Sequence, residues 1–97
     1  LDRDRIIKVE IDSLGCLHIS PNMKKFTLVY RTAKQVHWNQ EKQTLYSPKP
    51  TDWTYVHWYN HILKVVEEEC FCELYLTDDT NWINVPDNVK SEITKVQ

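Results

Sequence analysis

TDWTYVHWYNHILKVVEEEC, residues 51–70, decides the architecture. Tyr55, Trp58, Tyr59, Ile62, Leu63, Val66 and Cys70 recur at steps of three and four. That is the period of a helix with one apolar stripe. Trp53, His57, Asn60 and Lys64 fall on the opposite side, with His61 on the flank. Pro48 and Pro50 interrupt whatever precedes them, since each fixes φ and lacks an N–H. Thr51 then stands at the expected N-cap, where its hydroxyl can accept a bond from an unpaired N–H. Asp52 follows in the first turn, at the positive end of the helix dipole. Glu67, Glu68 and Glu69 crowd the other end, eased by Lys64 four residues before Glu68. After Cys70 the period changes to two.

Working outward, residues 5–12, RIIKVEID, alternate as a half-buried strand, with Ile7, Val9 and Ile11 on one face. Ser13-Leu14-Gly15 is a turn, and Cys16 to Ser20 returns as the second strand of a hairpin. Lys25 to Arg31 alternates again, with Phe26, Leu28 and Tyr30 inward. Gln35 to Gln40 and Gln43 to Ser47 form a further hairpin through Glu41-Lys42. Beyond the helix, Phe71 to Thr77 is apolar on both faces, which suggests an interior strand. Asp78 to Asn81 turns, Trp82 to Val85 adds a short strand, and Pro86 suits the first turn of a last helix. Val89, Ile93 and Val96 give that helix its apolar face. A run of strands followed by a helix indicates an α+β fold. The expectation is an antiparallel sheet of about five or six strands, one long helix packed on one face and a short C-terminal helix, all in a single domain over residues 1–97.

With 97 residues and an apolar fraction of 41%, one modest core is available. A single glycine excludes glycine-rich phosphate loops. The net charge of −2 argues against an electrostatic nucleic-acid binder. No apolar run reaches the roughly 18 residues of a membrane span. Three cysteines are odd in number and sparse, which fits a reducing, cytoplasmic setting better than a disulfide framework. Four tryptophans and five tyrosines are the unusual feature. Large rings fill small cores, and they also anchor interfaces.

His57 and His61 are spaced to share an ion on one helix face, yet Trp58 stands where a zinc-protease glutamate would, and no third ligand is evident. Solvated histidines on a polar face are the simpler account, and no metal is assigned. Cys70-x-Cys72 lacks the spacing and the second pair of a metal or redox site, so core packing is the simpler account. No cysteine–histidine or other nucleophile motif is present, so no catalytic residue and no cofactor is predicted. Asp78 and Asp79 beside Trp82 resemble the rim and ring of a protein-binding hot spot, with Trp53 as a further contact. An alternative is a ligand pocket between sheet and helix formed by Trp53, His57 and His61. Trp53 can also simply cover the Tyr46–Pro50 segment.

The blocks TLYSPKPTDWTYVHWYNHI (44–62) and CELYLTDDTNWINVP (72–86) give the chain a resemblance in size, aromatic load and element order. It resembles the small α+β proteins carried on bacterial mobile gene cassettes, or the immunity proteins that neutralise bacterial toxins. The resemblance implies protein binding and transfers no functional residue. The readings carried forward are a non-enzymatic module binding an unknown protein partner, a small-ligand protein or minor enzyme using His57 or His61, and a self-associating homodimer.

Overall fold

The computed structural model describes residues 1–29 and 35–95. In chain order it contains β1 (Asp2–Ile11), β2 (Leu17–Pro21), β3 (His37–Asn39), β4 (Thr44–Tyr46), α1 (Tyr55–Cys70), β5 (Cys72–Tyr75), β6 (Asn81–Ile83) and α2 (Asp87–Lys95). This is the α+β arrangement the sequence predicts. The strand order is β3-β4-β2-β1-β5, with β6 also on β1. The pairs β1–β2, β2–β4 and β3–β4 are antiparallel. β5 and β6 instead run parallel to β1, against Asp2–Arg5 and Lys8–Glu10 in turn. The sheet is therefore mixed. The cause is the crossover through α1, which returns the chain to the same end of the sheet.

β1 organises the sheet because it is long and has neighbours on both sides. The hairpin to β2 closes on Gly15 at φ +88, the one place where glycine's freedom is required. Asp12 braces this turn, its Oδ1 accepting from the N–H groups of Leu14 (2.9 Å) and Cys16 (3.0 Å). A bulge between Ile6 and Lys8 resets the alternation. Ile6 and Val9 are consequently fully buried, while Ile7, expected inward, is only half-buried. The Ile6 carbonyl, beside the bulge, accepts from the Thr80 hydroxyl at 2.6 Å. That bond pins the turn that separates β5 from β6.

α1 begins later than the sequence suggests. Its N-cap is Thr54, whose hydroxyl accepts from the His57 N–H at 3.2 Å. Thr51 and Asp52 lie in the bend before it, so neither caps the helix nor occupies its first turn. The bend lets Trp53 fold back onto the helix. The buried stripe is Trp58, Tyr59, Ile62, Val65 and Val66; Tyr55, Leu63 and Cys70 are half-buried. The Tyr55 hydroxyl donates to the Gly15 carbonyl at 2.8 Å and ties helix to hairpin. Phe71 ends the helix in the left-handed region (φ 55, ψ 41), its N–H reaching the Glu67 carbonyl at 3.2 Å. An aromatic takes the place glycine usually fills.

Other expectations are corrected. Residues 25–29 form no strand: Phe26 and Val29 are buried three apart and joined by a turn bond, with Leu28 exposed between them. Tyr30 and Arg31 lie outside the described residues. β5 ends the strand order rather than lying inside the sheet, its second face being covered only in part. Cys70 is the last residue of α1, as its helical spacing predicts, and Cys72 lies on β5. The core joins Ile6, Val9, Leu17, Ile19 and Leu45 of the sheet to Tyr59, Ile62 and Val66 of α1 and Ile93 of α2. Among the described residues no helix is long and apolar enough to cross a membrane.

Candidate functional site: an aromatic cleft at the start of the long helix

Because Trp53 precedes the cap, its ring is free of the helical course and lies against the first turns of α1. Its centroid is 4.8 Å from Trp58, 5.1 Å from His61 and 6.4 Å from His57. The two histidines meet it edge-on, at 77° and 79°. Trp58 and His61 also meet edge-on at 5.6 Å. The outcome is a rigid ring cluster with Trp53 still 44% exposed. Beside it opens a cleft of about 460 Å³ lined by Gln35, Thr51, Asp52, Trp53, Trp58 and His61. His57 contributes to the cluster but does not line the cleft. On its other side Trp53 borders a groove with Pro50 and with Asn88, Val89 and Glu92 of α2. Covering the proline segment and lining a pocket are thus both roles of this one ring.

One buried polar atom of a residue that lines the cleft lacks a partner among the described residues. The Trp58 indole Nε1 is buried and donates to nothing. A buried N–H left unpaired costs about 1–3 kcal/mol.

The second expected patch is less open. Asp78 and Asp79 are exposed in the turn before β6, and the Asp79 N–H is held by the Thr77 hydroxyl at 3.3 Å. Trp82, however, is half-buried against the core, with Lys90 Nζ 5.4 Å from its ring centroid. The structure brings Trp53 together with the helix histidines, and places Trp82 at a different border of α2.

Sequence reasoning missed a buried polar network on the outer sheet face. His18 Nε2 lies 2.7 Å from Asp12 Oδ2, and its Nδ1 lies 2.7 Å from Thr44 Oγ1. The imidazole stacks on Tyr46 at 5.4 Å, and Tyr46 meets His37 at the same distance. Burial works against the Asp12 charge, but the bonds from His18 and from the Cys16 and Leu14 N–H groups outweigh it and hold the carboxyl below its ordinary value. The order carboxylate, imidazole, hydroxyl is that of a hydrolase triad. Here Thr44 is fully buried and His18 only 3% exposed, so the hydroxyl cannot meet a substrate and the network is a brace. The alternation of Leu17, His18 and Ile19, together with the hairpin register, was the available signal. The thiols of Cys16, Cys70 and Cys72 are all pushed up by burial, away from the reactive thiolate. Among the described residues no group of three or more His, Cys, Asp or Glu could hold a metal ion.

The comparisons with known proteins agree with one another. The profile of the family described as Integron Cassette Protein Hfx_Cass5 matches residues 4–80. A solved structure of that cassette protein, from the mobile metagenome of the North West Arm sewage outfall, matches with 33% identity and a TM-score of 0.51. The match covers 98% of this chain and 95% of that one. No curated protein sequence matches the chain.

Proposed function

The chain belongs to the family of integron cassette protein Hfx_Cass5, products of mobile gene cassettes, and from its aromatic cleft we propose that it is a non-enzymatic protein-binding module, an accessory of the immunity-like kind. The observation that carries this reading is the half-exposed Trp53, braced by the rings of Trp58 and His61 at the wall of the cleft. A pre-positioned tryptophan gives large contact area at little entropic cost, as hot-spot residues do. Asp52 at the rim, with Asp78 and Asp79 further round, favours a partner carrying basic residues. The sealed Thr44 hydroxyl and the elevated thiols weigh against a catalytic reading.

The test is affinity capture from the native host, comparing the wild-type chain with Trp53→Ala, followed by titration of the purified pair. The expected result is a protein retained by the wild type and lost with Trp53→Ala, the affinity falling about thirtyfold. Equal retention by both would overturn the proposal. The cleft volume also admits a small ligand held by Trp53 and His61, with His57 behind them. That reading predicts a low-molecular-mass species copurifying with the chain instead of a protein.

A further inference from the structure

On the sheet face turned away from α1, Lys8, Lys24, Lys25 and Lys42 line one concavity of about 340 Å³. Four lysines along one hollow stand out in a chain of net charge −2. Their counter-charges are incomplete. Glu10 lies 3.6 Å from Lys8 Nζ and 4.0 Å from Lys42 Nζ, and Asp2 lies 2.9 Å from Lys24 Nζ. Asp4, whose Oδ2 accepts from the Met23 and Lys24 N–H groups at 2.8 Å, adds a third carboxylate, so three stand against four lysines.

A second observation points the same way without invoking charge. Ser20, directly opposite Lys8 across the β1–β2 ladder, also lines the hollow. Cross-strand partners share a face, so its side chain is directed to the lysine side. It is only 5% exposed, and among the described residues its hydroxyl oxygen has no hydrogen-bond partner. Buried hydroxyls are nearly always satisfied, and one that is not invites a ligand atom.

We propose that this hollow binds a phosphate group, free or as the monoester of a small molecule. Lys8 and Lys42 turn from Glu10 to the dianion, Lys25 closes over it, and the Ser20 hydroxyl donates to a phosphate oxygen. Lysine serves such sites as a point charge. The small volume and the bordering Asp2 and Glu10 disfavour a long polyanion, whose further phosphates would meet carboxylates. The site is separate from the Trp53 cleft and does not depend on its role.

The test is a titration of the whole chain with inorganic phosphate and with methyl phosphate, against chloride at matched ionic strength, followed by amide resonances of Ser20, Lys42 and Asn81. Saturable shifts with either phosphate and none with chloride are expected; the tighter of the two identifies free phosphate or ester. Ser20→Ala should weaken binding about tenfold while the melting temperature holds or rises, because an unsatisfied buried hydroxyl is removed. Lys42→Glu, at an exposed position, should abolish saturation. Shifts that chloride reproduces, or a Ser20→Ala variant that binds as the wild type does, would overturn the proposal. So would a single-stranded oligonucleotide binding more tightly than methyl phosphate at equal phosphate concentration.

Discussion

Asp12 joins two tasks in one side chain: one oxygen caps the hairpin turn and the other holds His18. Its carboxyl lies below the ordinary value of 3.8, so its ionised form is favoured by folding. The stabilisation is therefore present at neutral pH and is lost as pH falls below about 4, through the depressed folded value. Urea titrations across that range should show stability declining in the wild type and declining less in Asp12→Asn, which carries no charge to lose. At pH 7 that variant should itself be less stable, by about 2 kcal/mol. Phe71 provides the opposite case. Held at φ 55 and 70% exposed, it contributes little packing to offset its left-handed conformation. Phe71→Gly should raise stability by about 0.5–1 kcal/mol, read from the urea midpoint at unchanged slope.

At the scale of elements, the helix was legible because its stripe repeats over four turns, and Ile62 and Val66 are fully buried as the period demands. Its start was not, because Thr51 and Thr54 are chemically equal candidates. What separates them is a bend set by the docking of Trp53, a contact within tertiary structure. Thr54→Ala should cost about 1 kcal/mol and Thr51→Ala close to nothing, a contrast visible in thermal melts. Over residues 25–29 the expected strand is absent for a related reason: Phe26 and Val29 satisfy burial through a turn, and an alternating pattern over five residues does not exclude that. The direction of β5 and β6 was hidden because periodicity carries no information on strand polarity. The candidate site was half legible. His57 and His61 share the helix as their spacing implies, but Trp53 reaches them through the bend before Thr54, and the lysine hollow draws on β1, β2 and two loops that only the folded sheet assembles.

At the scale of the whole molecule, one layer of helix covers one face of the sheet. Ile62→Ala, at the centre of that contact, should cost about 3–4 kcal/mol in chemical denaturation, whereas Lys64→Ala on the exposed side should change little. The terminal strands among the described residues, β3 and β5, have three and four residues. Short edges bearing charge, such as Glu73 paired with Arg3 at 2.7 Å, resist edge-to-edge pairing. Sedimentation equilibrium at micromolar concentration should accordingly find a monomer, and a dimer there would favour self-association as the use of this surface.

The central claim is that the cleft beside Trp53 receives a partner. The most direct measurement is the Trp53 indole N–H resonance, recorded with and without the captured partner. The account predicts a shift and slower exchange with water when the partner binds, as the exposed ring is covered. A complex that forms while this resonance stays where it was, with shifts confined to the Asp78–Trp82 turn or the sheet edges, would contradict it.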